Sequence, residues 1–103
     1  MKAIRFHPEA EREVYASIRH YDKECRGLGL RFQQAVDRGL AHIREFPQTG
    51  IPSAGETRTL TIRPFPYGIV FKEYNDEFRV IAIHHYHRRK DYWVRRLDDL
   101  DEE

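Results

Sequence analysis

Apolar residues in the first half of the chain recur every three or four positions, which predicts two helices. In the first helix, Ala10, Val14, Ile18 and Tyr21 mark one buried face, and Pro8 suits the first helical position. The second helix has the same spacing, at Leu28, Phe32, Val36, Leu40 and Ile43. Because only a short glycine-containing link separates the two, we expect an antiparallel helical hairpin.

Polar and apolar residues alternate over residues 2–6 and 57–63, which is the period of β-strands. We predict strands over residues 2–6, 57–63, 67–74 and 78–86, and a loop over the proline- and glycine-rich residues 48–55. The order of elements predicts an α+β fold: an N-terminal strand, the α-helical hairpin, then an antiparallel sheet with four strands in all. The helices would pack on one face of that sheet, and a short C-terminal segment would follow.

Length and composition indicate one domain. A chain of 103 residues has room for a single core, which we place in residues 1–97, with residues 98–103 as an acidic tail. The one cysteine, Cys25, cannot form an internal disulfide, which fits a reducing compartment. No apolar run approaches the ~20 residues that span a bilayer, and the N-terminus lacks the apolar segment of a signal peptide. We therefore expect a cytoplasmic protein without a membrane partner.

The net charge of +1 conceals a concentration of basic residues near the C-terminus. Between residues 79 and 96, Asp91 is the only acid. The basic residues are Arg79, Arg88, Arg89, Lys90, Arg95 and Arg96. Cationic charge beside aromatic rings is typical of a surface that holds a polyanion or an acidic protein partner. We predict that Arg88, Arg89, Lys90, Arg95 and Arg96 bind the target or partner.

An ordered set of short motifs runs through the chain. They are Pro8-Glu9-Ala10 after the first strand, Gly27-Leu28-Gly29 and Phe32 in the hairpin, Ile43-Arg44-Glu45-Phe46-Pro47, Phe65-Pro66-Tyr67, and a last strand that runs into His85, Arg88 and Tyr92-Trp93. In order and spacing they resemble the RelE/ParE superfamily of toxins from type II toxin–antitoxin systems. The resemblance covers nearly the whole chain, and it implies a small toxin that a cognate antitoxin holds inactive.

The superfamily implies two mechanisms. ParE-like toxins, which include plasmid stabilisation proteins, inhibit DNA gyrase by binding and have no known hydrolytic centre, whereas RelE-like toxins are mRNA interferases that cleave mRNA on the ribosome. The ribosome-dependent branch tends to carry several lysines and arginines on its middle strand, where residues 57–63 offer only Arg58 and Arg63. We therefore expect a ParE-like toxin. The alternatives are a ribosome-dependent endoribonuclease and a degenerate relative without toxicity.

If the chain is a nuclease, metal-independent cleavage needs side chains that move protons and stabilise the phosphorane. The candidates are Arg58, Arg63, Arg79, His85, His87 and Tyr92. On a regular strand Arg79, His85 and His87 share one face, but Ile81 and Ile83 share it too. Two isoleucines favour a core position for His85, so the sequence supports no confident catalytic assignment.

The histidines near the end of the last strand also raise the question of a metal. His84, His85 and His87 are close in sequence, but on a strand His84 points away from the other two. A zinc site needs further ligands, and Cys25 is distant in sequence. We therefore expect neither a metal nor another cofactor.

Overall fold

A computed structural model describes residues 2–101 of the chain. The elements are β1 (Ala3–Phe6), α1 (Pro8–Glu24), α2 (Leu28–Glu45), β2 (Ile51–Ser53), β3 (Thr57–Thr61), β4 (Tyr67–Glu73), β5 (Glu77–His85) and α3 (Arg96–Asp101). The strands form one sheet in the order β1-β5-β4-β3-β2. β1 runs parallel to β5, and the other neighbouring strands are antiparallel.

Local signals begin the predicted hairpin and turn the chain between its helices. The ring Nδ1 of His7 accepts the Glu9 N–H at 3.0 Å and so caps α1. Gly27 has a φ of +88°, the left-handed conformation that glycine adopts without strain, and it reverses the chain before α2. A side-chain carbon at Gly29 would lie 2.6 Å from the Ile18 carbonyl oxygen, so only glycine allows the two helices to approach this closely.

The larger core lies between the helical hairpin and one face of the sheet. Phe32 and Ile43 from α2 pack there with Ile69 from the sheet, and each is almost fully buried. Burial of one such side chain stabilises the fold by about 1.5–3 kcal/mol. The hydroxyl of Ser17 donates to that of Tyr67 at 3.0 Å, which satisfies a polar pair inside this core. Within residues 2–101, no helix is long and apolar enough to cross a membrane.

A smaller apolar cluster covers the opposite face of the sheet. Trp93 and Leu97 pack there against Val70, Ile81 and Ala82. The predicted α+β class and the helical hairpin are confirmed. The predicted C-terminal segment supplies Trp93 and Leu97 to this second layer. Both faces of the central strands are therefore buried.

The sheet has five strands rather than the predicted four. The extra strand, β2, lies in the predicted loop, where Pro52 pairs opposite Arg58. Proline is tolerated there because β2 is an edge strand and a missing N–H can face solvent. The sheet is also not wholly antiparallel, because β1 and β5 run in the same direction. The helical hairpin and strands β2–β4 lie between them in the chain, which provides the long connection that a parallel pair requires.

A β-bulge in β5 changes which side chains share a face. Val70 pairs with Ala82, but the next residue of β4, Phe71, pairs with Val80, so Ile81 is an extra residue in β5. Val80 packs in the larger core, as does Ile83, whereas Ile81 belongs to the smaller cluster. The prediction that Ile81 and Ile83 share a face is therefore wrong.

The predicted acidic tail, residues 98–103, is only partly described. Residues 98–101 form the end of α3, so this part is helical. Residues 102 and 103 lie outside the described residues.

Candidate functional site

The C-terminal segment, residues 86–97, is attached to the sheet where β1 ends. β1 pairs with β5 only as far as Val80, which leaves the following part of β5 without a strand partner on this side, while β4 pairs with it on the other. The guanidinium of Arg96 donates to the Ile81 carbonyl at 3.1 Å, and the Ile83 N–H donates to the carboxylate of Glu13 at 3.0 Å. Two side chains thus replace the missing strand along this edge.

Glu13 on α1 holds the C-terminal segment through its carboxylate. It accepts two hydrogen bonds from Arg96, at 2.9 and 3.0 Å, one from Arg88 at 2.9 Å and one from the Tyr92 hydroxyl at 2.6 Å. The Arg96 side chain is 3% exposed. Burial lowers the pKa of Arg96, but the hydrogen bond to Glu13 and the negative charge of Glu13 raise that pKa by more. The guanidinium therefore stays charged. Burial and then the bond to Glu13 raise the pKa of Tyr92.

A second acid on the same helix repeats this arrangement closer to solvent. Glu9 forms a two-pronged ion pair with Arg95, with both N–O distances at 3.0 Å. The hydrogen bond from Arg95 lowers the pKa of the Glu9 carboxyl. Sequence reasoning missed Glu9 and Glu13 as partners of the basic segment. Their four-residue spacing, which puts both on one face of α1, was the available signal.

These pairs divide the five predicted binding residues into three groups. Arg96 is buried, so its charge faces Glu13 rather than solvent. Arg88 and Arg95 are neutralised by acids, although their side chains remain 52% and 63% exposed. Arg89 and Lys90 are exposed and form no ion pair in the part of the chain that the structure describes. The free cationic charge of this segment is therefore concentrated at two neighbouring residues.

The arginines of the possible nuclease site do not converge. Arg58 donates to the carbonyls of Thr49 and Gly50, at 2.9 and 3.1 Å, and so fixes the loop before β2. Arg63 is exposed beyond the end of β3. Arg79 pairs with Glu77, and its guanidinium lies 4.3 Å from the centre of the Tyr74 ring.

The predicted common face for Arg79, His85 and His87 is wrong. Arg79 precedes the bulge and alternates with the core residues Phe78 and Val80, so it lies on the face away from the helices. His85 follows the bulge and packs on the helix side, with its ring centroid 4.8 Å from that of Tyr67. The sheet therefore separates the guanidinium from this imidazole.

The remaining nuclease candidates take part in local contacts. His85 Nδ1 accepts the His87 N–H at 3.0 Å, and partial burial, followed by the charge of His87, lowers the pKa of His85. His87 itself is exposed. The Tyr92 hydroxyl donates to Glu13, and its ring lies under the Arg88 guanidinium, 3.6 Å from the centroid. Tyr92 thus supports the C-terminal segment.

Three potential metal ligands lie close together elsewhere in the described chain. They are His7, Glu9 and Asp99. His7 uses Nδ1 to cap α1, and its Nε2 lies 3.1 Å from an Asp99 carboxylate oxygen. The Glu9 carboxylate is occupied by Arg95. Hydrogen bonds and an ion pair account for this group.

Comparison with protein families identifies the class to which this fold and surface belong. Residues 4–92 match the family described as ParE toxin of type II toxin-antitoxin system, parDE. The chain therefore belongs to the ParE toxin family of type II toxin–antitoxin systems, as the resemblance of its motifs predicted.

A solved structure shows the same fold. A chain from the chromosomal ParDE TA system from P. aeruginosa superposes with a TM-score of 0.74 at 20% sequence identity. The match covers 82% of the present chain and 96% of that chain. No curated protein matches the sequence.

Proposed function

We propose that this protein is a ParE-like toxin that inhibits DNA gyrase by binding it, and that a cognate antitoxin neutralises it in the cytoplasm. The observation that carries the proposal is the family match over residues 4–92. The solved relative comes from a ParDE toxin–antitoxin system, which supports an antitoxin as partner. Action by binding fits a surface in which acids hold Arg88, Arg95 and Arg96 in place, and it fits nuclease candidates that lie on different faces of the sheet.

The surface proposed to contact the target or antitoxin is formed by Arg88, Arg89, Lys90 and Arg95. Val94 and Tyr86 add partly exposed apolar area beside them, at 37% and 42% exposure. The buried Arg96 holds the C-terminal segment that carries this surface through its two hydrogen bonds to Glu13. Positive charge with adjacent apolar area is suited to an acidic protein partner, because complementary charge accelerates the encounter and apolar contact prolongs it.

The proposal is tested by inducing the protein in bacterial cells and by adding the purified protein to gyrase. We expect arrested growth with intact mRNA in cells, and loss of ATP-dependent supercoiling in the gyrase reaction. Rapid mRNA cleavage with active gyrase would replace the proposal by a ribosome-dependent nuclease. Normal growth on induction without an antitoxin would indicate a relative that has lost toxicity.

A matched pair of variants tests the contact surface. Arg89→Ala combined with Lys90→Ala removes two exposed cations from it. Arg31→Ala combined with Arg38→Ala removes the same charge from exposed positions on α2. We expect at least about tenfold weaker inhibition or antitoxin binding for the first variant, a loss of about 1.4 kcal/mol, and little change for the second. Equal effects would show that net charge, and not this surface, matters.

A further inference from the structure

A cavity of about 590 Å³ lies on the sheet face away from the helices, between β2 and the C-terminal segment. Its lining includes Ile51, His84, Tyr86, Lys90, Asp91 and Trp93. Apolar, aromatic and charged groups thus meet in one space, and its volume suits a small organic ligand. Tyr86 and Lys90 belong both to this lining and to the proposed contact surface, whereas none of the nuclease candidates lines the cavity.

The aromatic ring of Tyr86 lines this cavity, and its hydroxyl contacts the sheet. Its hydroxyl lies 2.6 Å from the Thr61 hydroxyl, and it crosses the sheet over Gly68, where a side-chain carbon would come within 2.6 Å of the Tyr86 hydroxyl oxygen. The ring nevertheless remains 42% exposed. A ring that is fixed at its far end and still accessible is suited to stacking, because little side-chain entropy is lost on binding.

The charges at the rim are arranged for a ligand with an anionic end. Lys90 lines the cavity and Arg89 precedes it, and these are the two basic residues of the segment that no acid neutralises in the described chain. Asp91, also in the lining, has a φ of +58°, a conformation that non-glycine residues adopt rarely. Such backbone strain clusters at ligand sites, where it positions a side chain.

Two buried ring nitrogens of lining residues have no hydrogen-bond partner. They are Nε1 of Trp93, which can only donate, and Nε2 of His84, whose ring is already bonded to the Arg88 backbone. Buried polar groups are normally paired, so both are unusual. Both nitrogens have almost no accessible area, so a ligand in the cavity does not reach them, and the accessible Tyr86 ring and Lys90 indicate the class of ligand instead.

We propose that this cavity binds a nucleoside monophosphate, with the base stacked on Tyr86 and the phosphate beside Lys90. The ribose hydroxyls then lie within the polar part of the lining, where Asp91 accepts hydrogen bonds. Because Tyr86 and Lys90 also belong to the proposed contact surface, a bound nucleotide would occupy part of that surface, and the binding requires no cleavage of the nucleotide.

Trp93 is the only tryptophan in the chain, so its fluorescence reports directly on the cavity. We expect AMP, GMP, CMP or UMP to change the emission saturably. Tyr86→Leu should weaken binding at least about tenfold, as loss of base stacking does elsewhere. Lys90→Gln should weaken binding of the nucleotide but not of the matching nucleoside. Tyr15→Leu and Lys23→Gln, exposed on α1, serve as controls that leave both affinities unchanged.

Three results would overturn the proposal. One is the absence of a saturable change with all four nucleotides up to about 10 mM, beyond the range of weak specific binding. Another is binding of ribose 5-phosphate as tightly as of the nucleotides, which would indicate a site for anions alone. The third is a change in Trp93 emission on addition of an acidic peptide that nucleotides neither reproduce nor displace. That result would assign the cavity to a protein partner.

Discussion

Replacing Glu13 by alanine removes the carboxylate on which the C-terminal segment depends. The Arg96 guanidinium would keep the Ile81 carbonyl but lose both bonds to Glu13, while its side chain is only 3% exposed. Loss of one partner from a buried ion pair typically costs about 3–5 kcal/mol. After the change, only the more distant Glu9 carboxylate, 3.9 Å from the guanidinium, would face this poorly solvated charge. The Ile83 N–H and the Tyr92 hydroxyl would lose their acceptor as well.

This cost can be measured as a change in thermal stability. For a domain of this length, 1 kcal/mol corresponds to a shift in Tm of about 4 °C, so Glu13→Ala should lower Tm by about 12–20 °C. Thermal unfolding followed by circular dichroism gives Tm, and urea unfolding gives the free energy of unfolding. An unchanged urea m-value would indicate that the variant unfolds from a similarly compact state.

Glu9→Ala is the matched control, since it removes an acid from the same face of α1 and breaks the bidentate pair with Arg95. That pair lies in solvent, so the loss of stability should be much smaller. A double-mutant cycle of Glu13→Ala with Arg96→Ala should give a coupling energy of about 0.5–3 kcal/mol. A fall in Tm for Glu13→Ala no larger than that for Glu9→Ala would refute the reasoning.

Three further changes test other parts of the fold. Gly39→Ala should destabilise by about 1–3 kcal/mol in urea, despite better helix propensity, because its Cβ would lie 2.7 Å from Ile69 Cδ1; a gain in stability would show that the sheet can yield. Burial lowers the pKa of His84 from its ordinary value of 6.5. As the pH drops, the histidine therefore takes up a proton in the unfolded state before it does so in the folded state. The free energy of unfolding should consequently fall as the pH drops below 6.5. His84→Phe should reduce the dependence of the free energy of unfolding on pH, and an unchanged dependence would show that His84 does not cause it. Ser17→Ala should cost about 1 kcal/mol by removing a buried donor to Tyr67, detectable as a lower urea midpoint.

The helical hairpin was predictable because its determinants are local. The apolar period of α1, the cap before Glu9 and the left-handed glycine at the turn all act within a few residues of chain. The same holds for β4 and β5, whose apolar runs and short connection are visible in sequence. The order of such elements, together with motifs spread along the chain, was enough to indicate the superfamily.

The pairing of strands was harder to predict because strand partners are remote in sequence. β2 lies in a stretch rich in proline and glycine, and only its position at the edge beside β3 makes it a strand. The bulge near Ile81 arises from the pairing of β4 with β5, and alternation alone gives no sign of it. One extra residue moved His85 to the helix side of the sheet and separated it from Arg79.

By itself, the sequence determined the fold class, the hairpin, the family and the concentration of basic residues near the C-terminus. Only the tertiary structure decided which of those charges remain available. Glu9 and Glu13, more than seventy residues earlier in the chain than their partners, neutralise Arg88, Arg95 and Arg96 and leave Arg89 and Lys90 exposed. The physical reason is that helix periodicity depends on neighbours in the chain, whereas the effective charge of a side chain depends on burial and on partners that folding brings within about 3 Å.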